Sequence, residues 1–303
     1  MLHQKKLLRI GIETDQGTAV TSDIEALVFD ATMNPGSVFQ TRQPNHTHLG
    51  HAKGIIEPRT GKATFRLELR SNGTTGLDPA CAALLQGSGW QLNTLTYTPE
   101  SIVASQKALT LTLWEDGMKK ILYGAMGKAK LTGASGRRAF LECDFDGIWT
   151  APISEAMPTP THATIAPLIC QAGTFSLQAY TAFISRFALD LQPSVVERGD
   201  LAAATGVRSF IITNRDPILT CDPEAVLLAA HDFYGMWLAG TTGITTIILK
   251  DATTTITIVA PECQYRELPM AERSGLAVHD LTAQLNYSTA GDDEVSIVTA
   301  ANV

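Results

Sequence analysis

Three histidines, His46, His48 and His51, fall within six positions, and imidazoles at that spacing are candidates for holding Zn²⁺ or Ni²⁺. A structural zinc site completes four ligands with thiolates or carboxylates at a recognisable spacing, and no cysteine stands nearby. An exposed loop is the stronger reading of these residues. Glu142 and Asp144 sit two apart, with Asp146 continuing the series. Such a carboxylate pair suits glycoside hydrolysis, but residues two apart on a strand are more often an ordinary solvated face. Ser88 and Ser135 lack the strained elbow of a nucleophilic serine and have no assignable His–acid partners. The glycines from Gly73 to Gly76 lack the Lys-Ser/Thr of a phosphate loop. The sequence therefore predicts no enzyme, no cofactor and no metal.

The bulk properties agree. A net charge of −7 argues against duplex binding, which draws on clustered Lys and Arg that displace counterions from phosphates. The cysteines, five in number, form no CxxC pair and read as reduced thiols. After Lys5 and Lys6, the apolar run Leu7 to Ile12 is broken by Arg9 and ended by Glu13, so no export signal is expected. No run approaches the ~20 apolar residues that a spanning helix needs, so membrane insertion is not expected.

The elements that must position these residues are organised around Gly61 to Trp90. Ala63 to Arg70 alternates strictly, with Phe65, Leu67 and Leu69 on one face, as a half-buried strand does. Ser71 to Gly76 turns, and Asp78-Pro79 opens a short helix that Gly87 and Gly89 close before Trp90. A second unit is read at Gly206 to Trp237, matching Phe65 to Phe210, Asp78-Pro79 to Asp222-Pro223 and Trp90 to Trp237. An ordered series of this kind indicates duplication.

Taken in order, residues 1–23 read as an extended arm, Ile24 to Ala31 as a strand, and 32–60 as a long polar loop. Lys107 to Trp114 and Ile121 to Leu131 form a hairpin about Glu115-Asp116-Gly117, and Arg138 to Phe145 is a further strand. The second half repeats the plan, with Thr245 to Lys250 and Thr253 to Val259 flanking Asp251, and Arg273 onward matched to Arg138 onward. The expected fold class is α+β, mainly antiparallel β, as two tandem sandwich or partial-barrel domains, each with a short flanking helix. The first spans 1–150, a proline-rich linker 151–168, and the second 169–303. Tryptophans 90, 114, 149 and 237 are expected to seal sheet and helix contacts.

The order of several segments resembles the major tail tube protein of long-tailed, non-contractile bacteriophages. They are IETDQGTAVTSDIEALVFDA, GLDPACAALLQGSGW, LTYTPES, the stretch from ALTLTLWEDG to DGIWTAP, and MPTPT. The likeness covers most of the first half and, through the duplication, much of the second. It rests on packing patterns and not on a catalytic signature. The histidine-containing loop departs from familiar members.

The resemblance implies a self-assembling virion protein whose rings stack around a lumen that conducts double-stranded DNA without specific binding. Inner strands of neighbouring subunits would join into one barrel, and a long loop, here Asn34 to Arg59 with its histidines, would reach the next ring. With two tube folds per chain, three chains would close a pseudo-sixfold ring. The implied partners are further copies of the chain, the tape-measure protein, the tail terminator and the distal tail protein. The implied location is the virion tail, after assembly in the host cytoplasm. Edge pairing between subunits is also what exposed strands require to avoid uncontrolled aggregation. Glu142, Asp144 and Asp146 are candidates for an acidic lumen wall that repels phosphates. A related ring such as a tail terminator or baseplate hub, and a carbohydrate-binding sandwich, remain alternatives.

Overall fold

The computed structural model describes residues 2, 4–47, 49–57, 59–161, 164–289 and 291–302. Antiparallel strands dominate it, with two short helices. The first half contains β1 (Lys6–Ile12), β2 (Ile24–Ala26), β3 (Val28–Pro35), β4 (Val38–Arg42), β5 (Ala52–Glu57) and β6 (Thr60–Glu68). Helix α1 (Pro79–Gly87) follows, then β7 (Trp90–Asn93), β8 (Thr96–Pro99), β9 (Leu109–Glu115), β10 (Met118–Ala134), β11 (Phe140–Trp149) and β12 (Ile153–Ser154). The second half contains β13 (Thr174–Leu177), β14 (Tyr180–Thr181), β15 (Arg186–Asp190), β16 (Ser194–Gly199), β17 (Val207–Asn214) and β18 (Ile218–Cys221). Helix α2 (Phe233–Ala239) precedes β19 (Thr242–Lys250), β20 (Thr254–Glu267), β21 (Met270–Arg273), β22 (Leu276–His279), β23 (Leu281–Asn286) and β24 (Ser296–Ala301).

Helix α1 forms where the chemistry of its ends directs it. The Asp78 carboxylate accepts from the Ala80 N–H at 2.9 Å, and Pro79 occupies the first turn, where its missing donor costs nothing. Its buried side is mostly alanine, cysteine and leucine, so the helix lies close against the sheet. A Cβ on Gly87 would fall 2.4 Å from a Leu109 methyl, which requires glycine there.

Strand pairings recur in the same order in both halves. In the first, β2–β1–β9–β10–β11–β6–β3 is a continuous antiparallel ladder. In the second, β14–β13–β19–β20–β23–β18–β15 follows the same connectivity. Hairpins β4–β5 and β16–β17 occupy the same place between the third and sixth positions of each plan. The β21–β22 hairpin prolongs the β20–β23 pair, and β21 stands to β20 as the far end of β10 stands to its near end.

The two ladders join. After Ala125 the long strand β10 leaves β9, and its far end pairs with β15, with Leu131 opposite Leu189 and Ala134 opposite Arg186. A second seam links β8 to β24. The main apolar core accordingly includes side chains from both halves, with Phe145, Leu84, Leu109 and Leu122 among those shut from water in the first and Ile256 and Leu285 in the second. Such side chains contribute roughly 1.5–3 kcal/mol each relative to exposure.

Several expectations need correction. Residues 1–23 are not merely an arm: β1 runs between β2 and β9, and Leu8 and Ile10 are fully buried. Residues 32–60 are not a loop; they finish β3 and build the β4–β5 hairpin. The segment 151–168 ends in packing, since Leu168 is buried and exchanges backbone hydrogen bonds with Leu69 and Ala139. Phe210 lies on β17, whereas the counterpart of Phe65 and its strand is β18. Arg273 lies on β21, so the counterpart of β11 begins instead at Leu281. Trp90 is buried while Trp237 is half-exposed on α2, so that pair differs too.

Asp222-Pro223 starts no helix; α2 begins after Asp232, whose carboxylate accepts from the Gly235 N–H at 2.8 Å. Asp222 is a buried acceptor instead. It takes hydrogen bonds from the Ser185 and Arg186 N–H groups at 2.8 Å, from Arg273 Nη1 at 2.8 Å, and from the Ser185 hydroxyl. Burial pushes its carboxyl upward, but the bonds from Ser185, Arg186 and Arg273 outweigh it and hold the carboxyl below its ordinary value of 3.8. A depressed carboxyl stabilises the fold at neutral pH, and that contribution is lost as pH falls through the folded-state value. Asp222→Ala is expected to lower unfolding stability by about 3 kcal/mol in urea titrations at pH 7. The variant should also lose less further stability than the parent when acidified below 3.8; an equal loss would place the acid dependence elsewhere.

Candidate assembly surfaces

The acids Glu142, Asp144 and Asp146 share one face of β11, as alternation requires, but register gives each a setting that spacing does not show. Glu142 lies opposite Arg66 of β6 and Lys130 of β10. Asp144 lies opposite Thr64 and Lys128, and Asp146 opposite Lys62 and Met126. Lys62 Nζ is 2.9 Å from the Asp144 carboxylate, and Arg66 reaches Asp30 at 2.9 Å. The hydrogen bond with Asp144 raises the Lys62 ammonium above its ordinary value, while burial raises the Asp146 carboxyl. The acids thus stand among bases, and Asp30 and Asp190 join them on the same face. Across the β10–β15 seam it continues through Thr132, Ala188, Thr220, Thr282 and Gln284, with Arg186 and Asp190 flanking Ala188 on β15 and Glu262 two residues from Gln264 on β20.

The seam is reinforced on the face turned away from the core, the one that carries the acids: Met126 lies opposite Asp146, and Ile148 follows Asp146 by two. The β16–β17 hairpin packs onto the first half, where Val207, Phe210 and Ile212 form an apolar cluster with Ala108, Met126 and Ile148. Buried Gln106 clamps the strand, donating to the Ile212 carbonyl at 3.0 Å and accepting from its N–H at 3.1 Å. Arg215 bridges Asp292 and Glu294 at 2.5 and 2.8 Å and donates to the Ser101 hydroxyl at 3.1 Å. Sheet pairing, an apolar patch and a polar clasp therefore act together on one junction.

At the ends of the shared ladder, strands lack neighbours. Among the described residues β3 pairs with β6 alone, whereas its counterpart β15 has β18 on one side and β10 on the other. Likewise β21 pairs only with β22, and it prolongs β20 as the far end of β10 prolongs the first-half strand. The Arg266 carbonyl beside that edge is taken by the Trp237 indole N–H at 3.1 Å. Large apolar side chains are exposed nearby, including Leu238, Met270 and Leu276.

The β4–β5 hairpin is exposed along nearly its whole length. Asn34 sits on β3 opposite Lys62, and the Arg59 carbonyl accepts from the Trp149 N–H at 3.1 Å, so these two residues anchor its base. His46 is exposed, and His51 Nδ1 shares a 3.0 Å hydrogen bond with Gln43 Nε2. His48 lies outside the described residues. Among the described residues no three His, Cys, Asp or Glu side chains gather as metal ligands. The histidine spacing draws attention to the tip, but the distinctive chemistry lies on the strands, where Val38, Phe39, Ile55 and Ile56 are exposed. The short runs Ser37-Val38-Phe39-Gln40 and Gly54-Ile55-Ile56 were the available sign in the sequence.

No family model matches the chain, and no curated protein is similar to it.

Gln106→Leu removes both partners of a buried backbone pair and puts an apolar side chain of similar size in their place. It is expected to cost about 2 kcal/mol of stability and to speed amide exchange at Ile212 selectively. Unchanged protection at Ile212 would show that the apolar cluster alone holds the hairpin.

Proposed function

We propose that this chain is a ring-forming structural protein of a virus tail tube, with three copies completing each ring around a DNA conduit. The observation that carries this reading is the β10–β15 junction, which joins two halves of like connectivity. The same connectivity leaves one edge open at β3 and its complement open at β21. An edge set that matches an internal junction favours head-to-tail addition of further copies, and such addition ends when rotation closes the ring. Two repeats per chain reduce the number of separate associations needed for closure.

The part of the polar face that the β16–β17 hairpin leaves uncovered is the candidate lumen wall. Its Lys and Arg side chains are matched by acids in register in the first half, and in the second half Arg186 pairs with Asp280 while Asp190 stands on the same strand. Duplex DNA gains little from a surface without a net cationic patch, which suits transit without adhesion. Tape-measure, terminator and distal tail proteins are the partners this role would require.

Negative-stain microscopy and mass photometry of the purified protein test the reading. Rings of three chains, and tubes built from them, are expected. A monomer that persists at high concentration would reject it. Met270→Lys adds charge to the open β21 edge, a natural device against strand pairing. It should reduce ring formation at least tenfold without lowering the melting temperature.

A further inference from the structure

The internal junction contains more than paired strands: it shows what a hairpin in this position does when a neighbour is present. The β16–β17 hairpin of the second half folds over the outside of the first half and covers Ala108, Met126 and Ile148. Its counterpart β4–β5 has no such neighbour among the described residues, and it exposes Phe39 and Ile56 at 62% each.

The two positions can be matched from the ladders. Leu67 and Cys221 hold like places: each pairs with an inner strand, at Leu141 and Leu281, and with an outer strand, at Val28 and Phe187. A buried acid follows each, Glu68 and Asp222, and both are met by arginines. Ile56 stands as far before Leu67 as Phe210 stands before Cys221. On the receiving side, Leu109, Leu111 and Leu113 point inward from β9 as Thr245, Ile247 and Leu249 do from β19. Ala108 and Ile244 therefore occupy matching places on the outer face. Ala108 is fully buried beneath its hairpin, whereas Ile244 is 50% exposed, and Tyr287 just past β23 is 65% exposed.

We infer that the β4–β5 hairpin of one copy docks over Ile244 and Tyr287 of a second copy within the same ring, repeating the β16–β17 contact. This rests on the self-assembly reading and refines it: the hairpin becomes a lateral clasp instead of a bridge to the next ring. Both surfaces are apolar, and they belong to the two halves whose strands β3 and β21 are left open. One repetition of the internal relationship brings β3 to β21 and the hairpin to Ile244 together.

Disulfide trapping distinguishes the possibilities. The double variant Ile56→Cys/Ile244→Cys, oxidised after assembly, should yield covalent species that stop at the number of chains in one ring. The parent, with its native cysteines, and each single variant treated identically should yield none. A ladder running beyond one ring would show a stacking contact, and intact tubes without cross-links would show that the hairpin binds elsewhere. Either result overturns this inference while leaving self-assembly standing. A parent protein that stays monomeric overturns both. If the double variant misfolds, hydrogen exchange on the parent serves instead: peptides spanning β5, Ile244 and Tyr287 should gain protection together on assembly. Protection of β5 without Ile244 and Tyr287 would reject the contact.

Discussion

A β-strand carries hydrogen-bonding groups on both edges, and those groups must meet another strand, a side chain or water. That constraint organises this chain. Strand β10 is long enough to serve two sheets in succession, leaving β9 and then meeting β15. Without this second pairing the halves would be two separate ladders, each with an open edge in the middle of the molecule. With it, the polar faces of both halves become one surface, and open edges are left at β3 and β21.

The junction is stabilised by interactions of different kinds that depend on one another. The β10–β15 pairs fix the register, which sets the β16–β17 hairpin over Ala108 and Met126. Gln106 satisfies the backbone of Ile212 where no strand can reach it. Arg215 and its acids close the far side, with the β8–β24 seam beyond. Burial pushes the Asp292 carboxyl up, but hydrogen bonds from Ser101 and Arg215 outweigh it and hold the carboxyl below its ordinary value. The clasp is therefore charged at neutral pH.

The strands with regular alternation were legible. The hairpin about Asp116-Gly117, the strand containing Phe65 and the helix capped by Asp78 follow from period, turn residues and cap chemistry, all local properties. The matches of Phe65 with Phe210 and Asp78 with Asp222 were misplaced because short motifs of common residues recur by chance. Glycine, threonine and Asp-Pro mark turns in either setting, and only strand order shows which turn is which. The hairpin at 38–57 was hidden because its apolar residues face outward and its strands lack the alternation that a buried face imposes.

The sequence by itself determined that the chain is mainly antiparallel β with short helices, that its balance of charge is acidic, and where many of its strands turn. These properties depend on neighbours in the chain. Tertiary structure decided that Glu142 and Asp144 face lysines and an arginine, that β10 crosses from one half to the other, and which edges remain unpaired. Register and edge pairing bring together residues far apart in sequence, and no local pattern encodes them.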